Sequence, residues 1–248
     1  MSEFDISYIG NGETATDLGR GGLFVIQPER GYRFGVDAVL LAAFAASKPV
    51  SKYLDLCTGS AVVPILMSAR THGSFFGLEI QPGYADMGRR SVLANGLGGR
   101  ISVITGDLRN IHEIFPAASF GAVTVNPPYI KAGCGIRSED GKDAVCRHEI
   151  LCDLDDVTRA ASVMLVPGGR LYMVGRPKRL GDIFRAADKY KLGVETLRFV
   201  YPKADRQPNI VLISAVRGRG PELSVMPPLI VYGENGGYTK ELIAIYND

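Results

Sequence analysis

Val123-Thr124-Val125-Asn126-Pro127-Pro128-Tyr129 lies midway along the chain and dictates its architecture. A β-branched, apolar run ends abruptly in an amide, two prolines and an aromatic ring. β-branched residues suit a pleated, buried strand. Neither proline can donate a backbone hydrogen bond and both fix φ, so strand and helix stop there. The stretch therefore reads as a buried strand ending in a stiff loop. In open α/β sheets, ligands bind at that carboxyl edge of the strands. A side-chain amide, main-chain carbonyls without competing proline amides and a flat ring together suit a planar group that carries an NH2.

Upstream, the chain repeats the same grammar. Tyr53 to Leu56 reads as a strand, Cys57-Thr58-Gly59-Ser60-Ala61 as a small-residue turn, and Val62 to about His72 as a helix. Ser74 to Glu79 is a second strand. Pro82-Gly83 opens a helix to about Asn95, where Gly96 and Gly98 supply the stop. Arg100 to Ile104 is a third strand, with a short helical turn from Asn110 to Phe115, and the fourth strand ends at Asn126. Leu154 to Leu165 reads as a helix, Pro167-Gly168-Gly169 as a turn, Arg170 to Val174 as a fifth strand and Leu180 to Tyr190 as a helix. Val194 to Tyr201 and Asn209 to Arg217 are joined by too few residues for a crossover helix, so they pair antiparallel. These units predict an α/β, doubly wound (Rossmann-like) sheet, mostly parallel with an antiparallel terminal hairpin. Residues 1–50 are expected to be an N-terminal extension packed on the core. Leu23 to Ile26 there is a short strand stopped by Pro28, and Val36 to Phe44 is a helix. The tail from Pro227 to Asp248 offers a short strand and a helix, Thr239 to Tyr246.

Composition bounds the function. The 248 residues are 46% hydrophobic and 22% charged, as in a globular chain with a full core. A net charge of +2 gives no global positive field, so a nucleic-acid partner needs local basic patches. Lys131, Arg137 and Arg147 follow the Asn126-Pro127-Pro128-Tyr129 loop, Arg176, Lys178 and Arg179 follow the fifth strand, and Lys203 and Arg206 lie in the terminal hairpin turn. The four cysteines, Cys57, Cys134, Cys146 and Cys152, form no Cys-x-x-Cys pair; with three histidines, no metal site is expected, and the thiols read as reduced. No apolar run approaches a membrane span, and the acidic start Met1 to Asp5 is unlike a signal peptide, so a cytoplasmic location is expected. The oligomeric state is left open.

The turn Asp55 to Ala61 permits close backbone approach at a helix start. Its glycines do not match a dinucleotide fingerprint, and no Gly-Lys-Ser/Thr follows for a phosphate loop. An acid at Asp55 would repel a pyrophosphate and suits a positive group such as an amino acid's ammonium. Glu79 ends the second strand, where an acid can accept hydrogen bonds from a ribose diol. Asp107 follows the third strand and either receives an amino group or caps the next helix. Asp37, in the first turn of its helix, either complements the helix dipole or faces the ligand edge. Asp55, Glu79, Asp107 and Asn126 close four successive parallel strands, which sets them along one edge.

This ordered set resembles the class I S-adenosylmethionine-dependent methyltransferases, and Asn-Pro-Pro-Tyr resembles the loop of their amino-methylating subgroup. The resemblance implies S-adenosylmethionine as cofactor. Asp55, Cys57, Thr58 and Gly59 would hold its methionine part, Glu79 with Ile80 the ribose, and Asp107 with Leu108 the adenine. Asn126, Pro127 and Tyr129 would be catalytic, with Asn126 also touching the cofactor, and Pro128, Asp37, Lys131 and Arg147 would contact the substrate. Cys57 and Ala61 depart from glycines common in the family turn. The 54 residues before Asp55 leave no room for the helical domain of the glutamine methyltransferases that modify release factors. No segment is long enough for the target-recognition domain usual in DNA adenine methyltransferases. The lead-in Gly31 to Leu41, Cys146-Arg147-His148-Glu149, Tyr201-Pro202-Lys203 and Pro227 to Thr239 are similar to the bacterial tRNA(Val) adenine-N6-methyltransferases. The expected reaction is methylation of an adenine 6-amino group in tRNA, beside the anticodon. The alternatives are a protein glutamine amide methyltransferase, an rRNA guanine amino methyltransferase, and an RNA-binding module that has lost its cofactor.

Overall fold

Short β-branched runs alternating with apolar or amphipathic helices produce a sheet covered on both faces. The computed structural model describes residues 4–31, 33–127, 152–218, 220 and 222–247. In chain order the elements are β1 (Glu13–Asp17), β2 (Phe24–Pro28), α1 (Val36–Ala46), β3 (Lys52–Leu56), α2 (Val62–Ser68), β4 (Ser74–Glu79), α3 (Pro82–Ala94), β5 (Ile101–Thr105), α4 (Ile111–Ile114) and β6 (Phe120–Val125). They continue with α5 (Leu154–Met164), β7 (Leu165–Gly175), α6 (Leu180–Lys189), β8 (Leu192–Tyr201), β9 (Ile210–Arg217), β10 (Ser224–Val225), β11 (Leu229–Ile230) and α7 (Lys240–Asn247).

The main sheet runs β10-β8-β9-β7-β6-β3-β4-β5, with β11 also on β8. Every neighbouring pair is parallel except those that β9 makes with β7 and β8. The expected doubly wound sheet with an antiparallel terminal hairpin is what forms, and the tail adds two short parallel strands at the β8 edge. Period-2 alternation divides the core. Tyr53, Phe75 and Ala122 pack with α1, α2 and α3 on one face, while Leu54, Leu56, Val123 and Val125 pack with α5 and α6 on the other. Helix α1 is apolar nearly all round because it is wedged between the sheet, α2 and α7.

Several boundaries differ from expectation for local reasons. Helix α2 ends at Ser68, not near His72. Arg100 there turns its guanidinium onto the carbonyls of Ser68, Thr71 and Gly73, which ends the helical ladder. Pro167-Gly168-Gly169 is a bulge inside β7, not a turn before it, because the register jumps from Phe120↔Leu165 to Ala122↔Arg170. Gly168, at φ +76°, supplies the left-handed residue the bulge needs. The N-terminal extension holds two strands, not one. The polar run Glu13–Asp17 gives little strand signal, yet it pairs antiparallel with β2. Pro28 is the last residue of β2 and does not precede its end. The hairpin is fastened to α3. The Ile26 amide donates to Ser91 Oγ at 2.8 Å, Asn95 exchanges hydrogen bonds with Phe24, and Arg90 grips Glu13 with two bonds of 2.6 Å. Among the described residues no helix is long and apolar enough to cross a membrane.

Candidate active site

Register alone puts the candidate residues near one another. Leu56 is paired with Leu78 of β4 and with Val125 of β6, so Cys57, Glu79 and Asn126 emerge together from three adjacent strands. Asp55 lies two residues further down the sheet from Glu79, level with Gly77 and Thr124. It is therefore inside the strand, not at its end as expected. Helix α1 precedes β3 through residues 47–51, with Val50 against the β6 start at Gly121. Its C-terminus is thus at the far edge, and its first turn, with Asp37, points to the edge that carries Asn126. Asp37 Oδ1 accepts the Ala38 amide at 3.0 Å, in keeping with a helix-start role.

The turn after β3 is held from beneath. Asp55 is only 4% exposed, and its two oxygens accept 2.6 Å hydrogen bonds from Thr58 Oγ1 and Thr124 Oγ1. Burial pushes this carboxyl up to about 7, against the pull of the two hydroxyls and with help from the nearby charge of Glu79. Thr58 donates its amide to Leu78 O, and Gly59 donates its amide to Glu79 Oε2 at 2.9 Å. Glu79 Oε1 accepts the Gln81 amide at 2.9 Å. Each Glu79 oxygen keeps a second lone pair for a hydroxyl.

Three residues of the turn adopt the left-handed region: Cys57 (φ +56°), Gly59 (φ +55°) and Ala61 (φ +67°). Cys57 and Ala61, the positions where family glycines are missing, take the backbone a glycine would take, at a cost of about 1–2 kcal/mol each. A side chain at Gly59 would meet nothing within 4 Å, so the turn is open on the side where a ligand would lie. Around it packing is tight. A Cβ at Gly77 would stand 2.7 Å from Thr58 Cγ2, and one at Gly88 3.1 Å from Gly59 O.

Asn126 supplies the clearest chemical signal. Its Oδ1 is buried and has no hydrogen-bond partner among the described residues. A buried orphan acceptor costs about 1–3 kcal/mol, and active sites are where proteins tolerate it. Pro127 follows directly, with an acceptor carbonyl and no amide. Ile80 is half-buried after Glu79, and Leu108 is buried in the core layer of α5 and α6. Asp107 caps the short 3-10 turn at Leu108–Asn110 through the Arg109 amide, and both its oxygens accept from the Arg109 guanidinium, which holds the carboxyl below the usual carboxylate range. Of its two expected roles, the capping one is realised. Pro128, Tyr129, Lys131 and Arg147 lie outside the described residues, as do Arg137, Cys134, Cys146 and His148.

Two neighbours of the turn are not announced by the sequence. Thr124 looks like one more β-branched strand residue, and only its alternation with Val123 and Val125 hints that it faces Asp55. Cys152 stands 95 positions from Cys57, yet their sulfurs are 3.9 Å apart. Nothing in the chain announces that contact.

These residues fit an adenosyl ligand with a cationic end. Two buried carboxylates, an open glycine backbone and an orphan amide oxygen offer acceptors. The described residues of the turn include no cation for a phosphate. No family model matches the chain. A curated relative from Porphyromonas gingivalis, tRNA1(Val) (adenine(37)-N6)-methyltransferase, is 27% identical over 223 residues, covering 86% of each chain. A protein of the same name from Aeromonas salmonicida is 25% identical over 215 residues, covering 86% of this chain and 88% of its own. Among solved structures, a protein of Agrobacterium tumefaciens described as a predicted O-methyltransferase superposes with a TM-score of 0.70 at 23% identity, over 85% of this chain and 95% of its own. The chain has the fold of the class I methyltransferases, and in sequence it resembles the tRNA1(Val) (adenine(37)-N6)-methyltransferases over most of its length.

Proposed function

We propose that this protein transfers a methyl group from S-adenosylmethionine to the 6-amino group of an adenine in tRNA, the adenine beside the anticodon of a valine tRNA. The observation that carries this reading is the buried Oδ1 of Asn126, which has no partner among the described residues and is level with the open turn of Cys57 to Gly59. Sequence similarity to the tRNA1(Val) enzymes over 86% of the chain supplies the acceptor. S-adenosylmethionine, when bound, supplies an electrophilic methyl group on a sulfonium. Asp55 and the turn from Cys57 to Gly59 take the end that carries its ammonium, Glu79 with Ile80 takes the ribose hydroxyls, and Leu108 lines the base. Asp107 reaches the adenine amino group only by sharing or releasing Arg109.

An adenine amino group is a poor nucleophile because its lone pair is delocalised into the ring. Asn126 Oδ1 and the Pro127 carbonyl accept its two N–H bonds. That draws the nitrogen towards a tetrahedral shape and stabilises the positive charge that grows on it. Tyr129 stacks on the unstacked target base, worth about 1–3 kcal/mol. No general base is needed beforehand, since the methylated ammonium loses its proton readily. Lys178, Lys203 and Arg206, exposed on the same edge, join Lys131 and Arg147 in holding the phosphates of the tRNA. The protein acts in the cytoplasm, where its substrate is.

The test is nucleoside analysis. The protein, labelled S-adenosylmethionine and total tRNA lacking the modification are incubated, and the digest is separated. Label in N6-methyladenosine is expected. Label in a methylated guanosine of rRNA, or in a glutamine of protein, would establish one of the rival substrates instead.

A further inference from the structure

We infer that Cys57 and Cys152 form a reversible disulfide on exposure to a peroxide, and that this cross-link closes the turn after β3 to its ligand. Cys57 opens that turn, and Cys152 lies immediately before Asp153, the N-cap of α5. Both thiols are free and half-buried, and their sulfurs are 3.9 Å apart. A disulfide needs about 2.05 Å between sulfurs. Closing the remaining gap draws Cys57 and Cys152 towards each other. Cys57 is held at φ +56°, in a backbone region that would ordinarily be given to glycine. A cysteine kept there at a conformational cost, with its sulfur aimed at a second cysteine from a distant part of the chain, is more than a space-filling residue.

The two thiols are not equivalent. The hydrogen bond that the two sulfurs share raises the Cys57 thiol and lowers that of Cys152. Cys152 is therefore the attacking thiolate. Its sulfur takes the distal oxygen of hydrogen peroxide; the O–O bond breaks, and the departing hydroxide gains a proton to become water. The sulfenic acid on Cys152 is then attacked by Cys57 as its proton leaves. The S–S bond forms, the S–O bond breaks, and a second water is released. Two thiols are oxidised by two electrons, and one peroxide is reduced to two waters. A dithiol reverses the change.

The turn transmits the consequence. Cys57 adjoins Thr58, whose amide and hydroxyl bind Leu78 O and Asp55, and Gly59, whose amide binds Glu79. Drawing Cys57 towards α5 pulls this set out of register. The loss of affinity rests on the cofactor reading above, whereas the cross-link does not.

The experiment uses the full chain, titrated with hydrogen peroxide. Peptide mapping without reductant reads the cross-link, and calorimetry reads S-adenosylmethionine affinity before and after. We expect a Cys57–Cys152 peptide, at least a tenfold loss of affinity, and recovery of both with dithiothreitol. Cys152→Ser is expected to bind like the untreated protein and to keep its affinity under peroxide. Absence of the linked peptide, a linked protein with unchanged affinity, or equal loss in Cys152→Ser would overturn the inference. Mapping also separates this pair from Cys134 and Cys146. If the untreated protein binds no S-adenosylmethionine, the cofactor reading falls and the switch with it, while the map still decides the cross-link.

Discussion

Asp55 of β3 accepts a 2.6 Å hydrogen bond from Thr124 of β6, its direct neighbour in register and the residue two before Asn126. One buried carboxylate thus ties the strand that leads into the open turn to the strand that leads into the Asn-Pro-Pro-Tyr loop. Its second oxygen accepts from Thr58 in the turn itself.

This carboxyl gives a pH signature. It titrates near 3.8 when unfolded and at about 7 when folded, mainly because it is buried. The folded protein therefore holds an extra proton between those values. The group's contribution to stability is full below about 3.8 and is lost as pH rises through about 7, up to about 4 kcal/mol in all. Asp55→Asn removes the titration. Denaturant midpoints of the two proteins are expected to diverge with pH, the natural protein losing ground to Asp55→Asn from pH 5 to pH 8. Parallel curves would show that Asp55 is already ionised in the fold at pH 5.

Glu79 should matter to fold and ligand alike. Glu79→Ala removes the acceptor of two backbone amides, those of Gly59 and Gln81. We expect a loss of about 1–3 kcal/mol in stability, read by thermal unfolding, from amides left short of a partner. Calorimetry should show S-adenosylmethionine affinity lowered at least tenfold. Glu79→Gln keeps one acceptor oxygen and should lose less of both.

Gly77 tests the packing under the turn. An added methyl would stand 2.7 Å from Thr58 Cγ2 and 2.8 Å from its hydroxyl. Gly77→Ala must push Thr58 away from Asp55, at about 1–3 kcal/mol for overpacking. Cofactor affinity should fall with it. A control at Gly83, where a Cβ meets nothing, should leave affinity unchanged.

The succession of strands and helices and the antiparallel terminal hairpin were largely legible in the chain, because they follow from local pattern. Val123 to Pro127 announces where β6 stops, and the brief Tyr201-to-Asn209 connection forces β8 and β9 antiparallel. What stayed hidden depended on three dimensions. β1 carries the polar run Glu13–Asp17 and is a strand only because it pairs with β2, which α3 fastens to the core. Asp55 resembles a strand-end acid in sequence, but register sinks it beside Thr124. Arg109 claims Asp107, a contact two residues away that a motif match passes over. The Cys57–Cys152 contact joins segments with no shared pattern at all.

Lys191 offers a test free of the site. It follows α6 at φ +56°, exposed, with its amide on Asp188 O at 3.0 Å. A left-handed residue after a helix favours glycine. Lys191→Gly is expected to raise stability by about 0.5–1 kcal/mol in chemical denaturation, with methyl transfer unchanged.

The most direct measurement is single-turnover methyl transfer to tRNA lacking the modification, for the natural protein and Asn126→Ala, with S-adenosylmethionine affinity measured in parallel. If Asn126 Oδ1 awaits the target amine, the variant binds the cofactor within a few-fold of the natural protein but transfers methyl at least a hundredfold more slowly, on the scale of losing one preorganised polar contact. A variant that methylates adenine at an undiminished rate would contradict the role assigned to Asn126.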